Sequence, residues 1–198
     1  ADGISSLPAA SGFFNRQNSG SQASYIMGRW EHRVDADNRF ALTGFVNDYH
    51  ACAGMKAIDY RYQQLALQFN HTFKLGRDHL ITWGIDNRVD LVNASQSNPF
   101  MLSQDYVNTD VTGVYAQDEW KFAPKWTMTL GGRWDYDSYG GFQPSGRAAL
   151  SYELAAHSFL YGAVSRSFAM PPAAMRFSSV PQANGLVQTT ADRDMKPM

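Results

Sequence analysis

Residues Thr109 to Tyr139 read TDVTGVYAQDEWKFAPKWTMTLGGRWDYDSY. Two strand-like runs lie on either side of a minimal turn, Ala123-Pro124-Lys125. In the second run Trp126, Met128, Leu130, Trp134 and Tyr136 share one parity, with Gly132 as the small member. Thr127, Thr129, Arg133, Asp135 and Asp137 share the other. Side chains of a strand alternate faces, so the run has an apolar side and a charged side. A soluble sandwich would alternate in the same way. Three details favour a membrane barrel: aromatics gather at the strand ends, the polar side carries full charges of both signs, and short turns alternate with long loops along the chain.

Composition fits that reading. The chain has 198 residues, enough for one domain, with 44% hydrophobic and 14% aromatic residues and 16 glycines. Its mean hydropathy of -0.38 is too polar for a bundle of membrane helices. No stretch approaches the ~20 apolar residues a spanning helix needs. Barrel strands, half turned to water, keep the average low. A net charge of -1 and the lack of a basic cluster exclude a nucleic-acid surface. The opening ADGISSLPAA has neither the basic start nor the apolar core of a signal peptide.

Outward from the opening pair, the same alternation recurs. Residues 1–23 are rich in Ser, Gly, Ala and Asn and read as loop. A strand over Ser24 to Val34 places Ile26, Trp30 and Val34 outward and Arg29, Glu31 and Arg33 inward. Asp35 to Asn38 make a short turn into a weaker strand, Arg39 to Tyr49, followed by a loop through Cys52 and Gly54. From Ile58 to Leu75 the residues Leu65, Leu67, Phe69, Phe73 and Leu75 oppose Gln64, Gln68, Asn70 and Thr72. After the turn Gly76-Arg77-Asp78, His79 to Leu91 sets Ile81, Trp83, Ile85, Val89 and Leu91 against Thr82, Asp86, Arg88 and Asp90. A loop from Asn93 to Asn108 leads into the opening pair. Gln143 to Leu154 and His157 to Phe168 are two further strands joined at Ala155-Ala156, the last with large residues on both parities. Residues 169–198 hold Pro171, Pro172 and Pro181 and read as loop. The fold class is therefore all-β: an antiparallel transmembrane β-barrel segment of about eight strands, with four short periplasmic turns and three longer extracellular loops.

GVYAQDEWKF, a short turn and WTMTLGGRWDYDSY closely resemble the barrel of TonB-dependent outer-membrane receptors, especially the siderophore-receptor branch. RAALSYEL followed by SFLYGAVSRSFAMPP, from Arg147 to Pro172, resembles the next hairpin of that family. The resemblance covers roughly residues 110 to 172. It implies a piece of a 22-stranded barrel in the bacterial outer membrane. The family's amino-terminal plug, with its TonB-contacting segment, finds no counterpart among these residues. The implied partners are a ferric siderophore or similar metal chelate, TonB through the plug, and outer-membrane lipid.

Under that reading the aromatics near the loops, Tyr49, Phe100, Tyr139 and Phe142, are candidates to touch a chelate, because aromatics give contact area at little entropic cost. Arg133 is the candidate from the lumen. The inward charges Arg29/Glu31/Arg33, Asp86/Arg88/Asp90 and Arg133/Asp135/Asp137 either line a solute path or simply pair across strands in a hydrated wall. Five scattered histidines lack metal-ligand spacing, so no metal site or cofactor is expected. The single Cys52 cannot form an internal disulfide and reads as an incidental thiol or half of an external bridge. No nucleophile motif or phosphate loop is present, which points away from an enzyme. The other readings are an autonomous small barrel with a structural or adhesin role and, third, an outer-membrane hydrolase.

Overall fold

The computed structural model describes residues 3–4, 18–52, 59–95, 104–171, 176–177, 180–181, 187–189 and 195. After a two-residue strand β1 (Gly3–Ile4) come eight long strands. They are β2 (Asn18–Arg33), β3 (Arg39–Cys52), β4 (Asp59–Leu75), β5 (His79–Asn93), β6 (Tyr106–Ala123), β7 (Trp126–Asp137), β8 (Gly141–Ala155) and β9 (Ser158–Arg166). They form one sheet in chain order, β1 to β9, each strand antiparallel to its neighbour. Two short strands, β10 (Val180–Pro181) and β11 (Val187–Thr189), pair with each other. Among the described residues the long sheet is open, with β9 bonded to β8 alone.

Register turns the alternation into continuous rows. Trp30, Leu42, Phe69, Ile85, Val114 and Trp134 are successive cross-strand partners from β2 to β7. One residue earlier on β2, the row reads Arg29, Thr43, Gln68, Asp86, Gly113 and Asp135. Because the pleat has period 2, these rows lie on opposite faces, and a slip of one residue would exchange them. Among the described residues the apolar face is left uncovered: Trp30 is 56% exposed, Leu67 54% and Trp134 57%. A soluble domain rarely shows so large an apolar patch, whereas a barrel wall turns that face to lipid.

Aromatics line the outer face near the turns. Phe40 stacks on His71 at 4.1 Å, Trp120 lies 5.4 Å from Phe122, and Trp126 lies 4.5 Å from Tyr152. Amphipathic rings favour the boundary between hydrocarbon and water, so this belt marks one membrane interface. At the opposite end Tyr136 and Phe142 meet on the same face at 5.0 Å.

The structure corrects four details. Cys52 is the last residue of β3, paired with Gly20 and Asp59, and lies in no loop. The connection after β7, expected as one of the longer loops, is the tight turn Ser138 to Gly140. Its cause is Asp137, whose carboxylate accepts the amides of Tyr139 at 3.3 Å and Gly140 at 3.0 Å, with Gly141 at φ 70°. β2 begins at Asn18 and β6 at Tyr106, earlier than hydrophobic periodicity shows, because small and polar residues extend these strands beyond the apolar band. β9 ends at Arg166.

Candidate functional site

The charged face holds the chemistry, and at its centre stands Arg133 of β7. Its terminal nitrogens donate to both oxygens of Asp86 on β5, at 2.6 and 2.9 Å, and its Nε donates to both oxygens of Asp135, at 2.9 and 2.8 Å. β6 separates β5 from β7, so the side chain must cross a whole strand to reach Asp86. Gly113 permits this crossing. A Cβ there would overlap the Arg133 guanidinium and come within 2.5 Å of Asp135 Oδ1. Gly84 does the same for Tyr115, whose ring lies 5.8 Å from the Arg133 guanidinium carbon. Bidentate pairs of this kind are the strong ones, and they leave Arg133 with a carboxylate on each side.

Toward the loop end of the wall the polar network continues. The Tyr62 hydroxyl and the Gln64 amide both donate to Asp90 Oδ1 at 2.8 Å. Asp137 is fully buried and receives Nη2 of Arg176 at 2.8 Å. Arg176 is itself 2% exposed, with its guanidinium 5.4 Å from the Tyr139 ring, and Phe177 meets the same ring edge-on at 5.2 Å. A segment without sequence periodicity thus brings a cation and an aromatic back to the end of β7. No pattern signals it, because the contact is a single long-range pair.

The five residues singled out from sequence occupy different places. Arg133 is central to the inner wall. Tyr49 is on the inner-facing parity of β3, 5.9 Å from Tyr60 and opposite Tyr62. Tyr139 sits in the turn after β7, its hydroxyl donating to the Asn108 carbonyl at 2.9 Å. Phe142 is on the apolar face beside Tyr136 and 76% exposed. Phe100 lies outside the described residues. The structure brings Tyr139 close to Asp137 and Arg176, and it separates Phe142 from that group by the thickness of the sheet.

The outer face carries polar groups that periodicity does not reveal. Asn87 shares its parity with Ile85 and Val89, and its amide donates to Thr112 at 2.9 Å and to Asp110 at 3.2 Å. Partner groups on the neighbouring strand are what allow an amide in an apolar band. Above that band Arg61 grips Asp48 through two bonds of 2.7 and 2.8 Å. These hydrogen bonds, with the guanidinium charge behind them, hold the Asp48 carboxyl below its usual range. His50 and Asp59 meet beside them at 2.9 Å. Among the described residues no group of three or more His, Cys, Asp or Glu side chains is arranged to hold a metal.

The family model "TonB dependent receptor-like, beta-barrel" matches residues 6–198. No curated protein matches the chain by sequence. Among solved structures, the siderophore receptor PirA from Acinetobacter baumannii superposes with a TM-score of 0.64 at 16% identity, covering 93% of this chain and 31% of that one. PirA from Pseudomonas aeruginosa gives 0.59 at 13% identity, covering 91% and 42%. The ferric enterobactin receptor PfeA gives 0.62 at 11% identity, covering 98% and 41%. At such identities the likeness carries the fold alone. The chain spans well under half the length of each of these receptors.

Proposed function

The chain belongs to the TonB-dependent receptor β-barrel family, and from that premise we propose that it forms part of the barrel wall of an outer-membrane receptor that imports a ferric siderophore or a similar metal chelate. The observation that supports this most is the two-faced sheet. Every long strand is bonded to the next in chain order, with an apolar face left uncovered by the described residues on one side and a paired ionic network on the other. Lipid satisfies the first face and water the second, and a wall between them must hydrogen-bond all of its backbone to adjacent strands. In this arrangement the turns after β2, β4, β6 and β8 face the periplasm, and the connections after β5 and β7 face outside.

The wall itself does no chemistry. Its ion pairs hold a wide, hydrated lumen open, and the strands' loop ends, with Tyr49 and Tyr139, frame the entrance. Energised uptake in this reading needs two further partners: a plug within the barrel, and TonB to pull on it. Lipid covers the outer face.

The test is uptake. Deleting the gene for the complete receptor from an iron-starved Gram-negative host should abolish import of one labelled ferric chelate from a panel, and removing TonB should do the same. Unchanged uptake across catecholate and hydroxamate chelates after deletion would overturn the proposal.

A further inference from the structure

Two glycines of the outward face have no use inside the chain. At Gly84 and Gly113 the space of the missing side chain is taken by Tyr115 and Arg133. Gly28 of β2 and Gly44 of β3 differ. They are direct cross-strand partners. A Cβ at Gly28 would meet nothing of the described chain within 4 Å, and one at Gly44 would only touch Leu67 at an ordinary 3.5 Å. Glycine inside a strand weakens it, and commonly marks the close approach of something else. Here the pair leaves a cavity of 450 Å³ in the outward face, walled by Ile26, Val46, Leu65 and Leu67. A second cavity, of 430 Å³, lies on the same face of the same strands, nearer the outside. Gln22, His50, Arg61 and Asn93 form one cross-strand row there, from β2 to β5, with Asp48 and Asp59 beside it. His50 lies four residues beyond Val46 on β3, about 13 Å along the strand. Arg61 cancels Asp48 and His50 bonds Asp59, so the row carries no net positive charge. Two amides remain. Gln22 makes no side-chain hydrogen bond among the described residues, and Asn93 accepts from Ser95 through Oδ1 while its N–H groups stay free there.

We propose that the two cavities together bind one glycolipid of the outer leaflet. An acyl chain lies in the Gly28–Gly44 groove, and the sugar head rests against the row from Gln22 to Asn93. The order of the cavities asks for an amphiphile: apolar within the membrane band, polar above it, along one line of strands. The barrel fold turns this face to lipid, so the occupant comes from the leaflet and not from solution. The class of the head follows from the residues. A row without net positive charge offers an isolated phosphate no counter-ion. Side-chain amides and carboxylates instead suit the hydroxyls of a sugar, each of which both donates and accepts. The inference rests on the reading of the chain as a receptor's barrel wall and adds a lipid partner to it.

The experiment uses the complete receptor, purified in detergent, and native mass spectrometry to follow three added probes: lipid A, an acylated disaccharide, phosphatidylethanolamine and phosphatidylglycerol. G28L/G44L fills the groove, and Q22A/N93A removes the amides. G162L is the control, since Gly162 is an outward glycine of β9 at which a Cβ also meets nothing within 4 Å. Folding of each variant is confirmed by its heat-modifiable mobility. The unaltered receptor should hold one lipid A in preference to either phospholipid. G28L/G44L should abolish that preference. Q22A/N93A should weaken lipid A binding roughly tenfold, about the value of one or two hydrogen bonds, and leave phosphatidylethanolamine unaffected. G162L should change nothing. Equal binding of the three probes by the unaltered receptor, or a preference for either phospholipid, would overturn the inference. So would undiminished lipid A binding in both G28L/G44L and Q22A/N93A, or an equal loss in G162L. Each of these failures leaves the receptor reading standing, because chelate uptake tests that reading separately.

Discussion

Arginine placed at Ile85 should be far more damaging than arginine placed at Gln117. Ile85 lies midway along the outward row of β5 between Ile81 and Val89, with Phe69 and Val114 as its cross-strand partners. It is 44% exposed in the sheet, and in a membrane what covers that surface is hydrocarbon. An arginine at this depth costs ~2 to 4 kcal/mol, and the lost lipid contact of the isoleucine adds roughly 1. The folding equilibrium should therefore fall by roughly a hundredfold or more. Gln117 lies on the opposite face between Thr82 and Gly131 and is exposed to the lumen, where another arginine costs little. Leu130 looks equally suitable from sequence, but its cross-strand partner is Asp118, which would neutralise an arginine and blunt the effect. The assay is urea titration of the complete receptor in lipid vesicles, read by heat-modifiable mobility on gels. Equal loss of folded protein in I85R and Q117R would refute the assignment of faces.

Topology is testable by labelling. In a C52S background, cysteines placed between Asn93 and Asn108 should react with an impermeant maleimide on intact cells, whereas cysteines at Gly76 to Asp78 should react only after lysis; the reverse pattern would invert the sidedness. The Arg176–Asp137 pair, 3% and 0% exposed at its side chains, should respond asymmetrically. D137A should destabilise by ~3 to 5 kcal/mol because it strands a buried cation and removes the acceptor of the Tyr139 and Gly140 amides, while the apolar double replacement D137L/R176M should recover the first of these losses and keep the second. Urea midpoints decide this, and similar losses in both would show that the turn bonds of Asp137, not the buried cation, set the cost. G113A should cost ~1 to 3 kcal/mol and break the Arg133–Asp86 bridge, since the added methyl occupies the path of that side chain; a midpoint unchanged from the unaltered receptor would show that Arg133 can reroute.

Strand identity was legible because lipid and water impose the same demand on every strand. An alternation such as that from Trp126 to Tyr136 has to hold across the membrane, so it survives in the sequence with few exceptions. The turn after β7 was harder. DSYGGF resembles the start of a long loop, and only the bonds from Asp137 to two following amides close it in three residues. Cys52 escapes the pattern for a related reason. Beyond the apolar band, strands no longer need to alternate, so β2 and β3 continue through Gly20 and Cys52 with no hydrophobic pattern to mark them.

The inner wall shows where periodicity stops being informative. It assigns Asp86, Arg88, Arg133 and Asp135 to one face but cannot say which charges cancel. That depends on reach across strands: Arg133 passes over β6 only because Gly113 lacks a side chain. Once this bridge has engaged Asp86 and Asp135, Arg88, two residues along β5, pairs among the described residues with Asp90. Arg133, the most conspicuous cation in the sequence, is thus the one most occupied by the protein itself. Residues that maintain a charged wall and residues that meet a passing solute have the same amino-acid types and the same parity. They differ in how many of their hydrogen bonds are already made, a property that register and side-chain length determine and that a strand pattern does not contain.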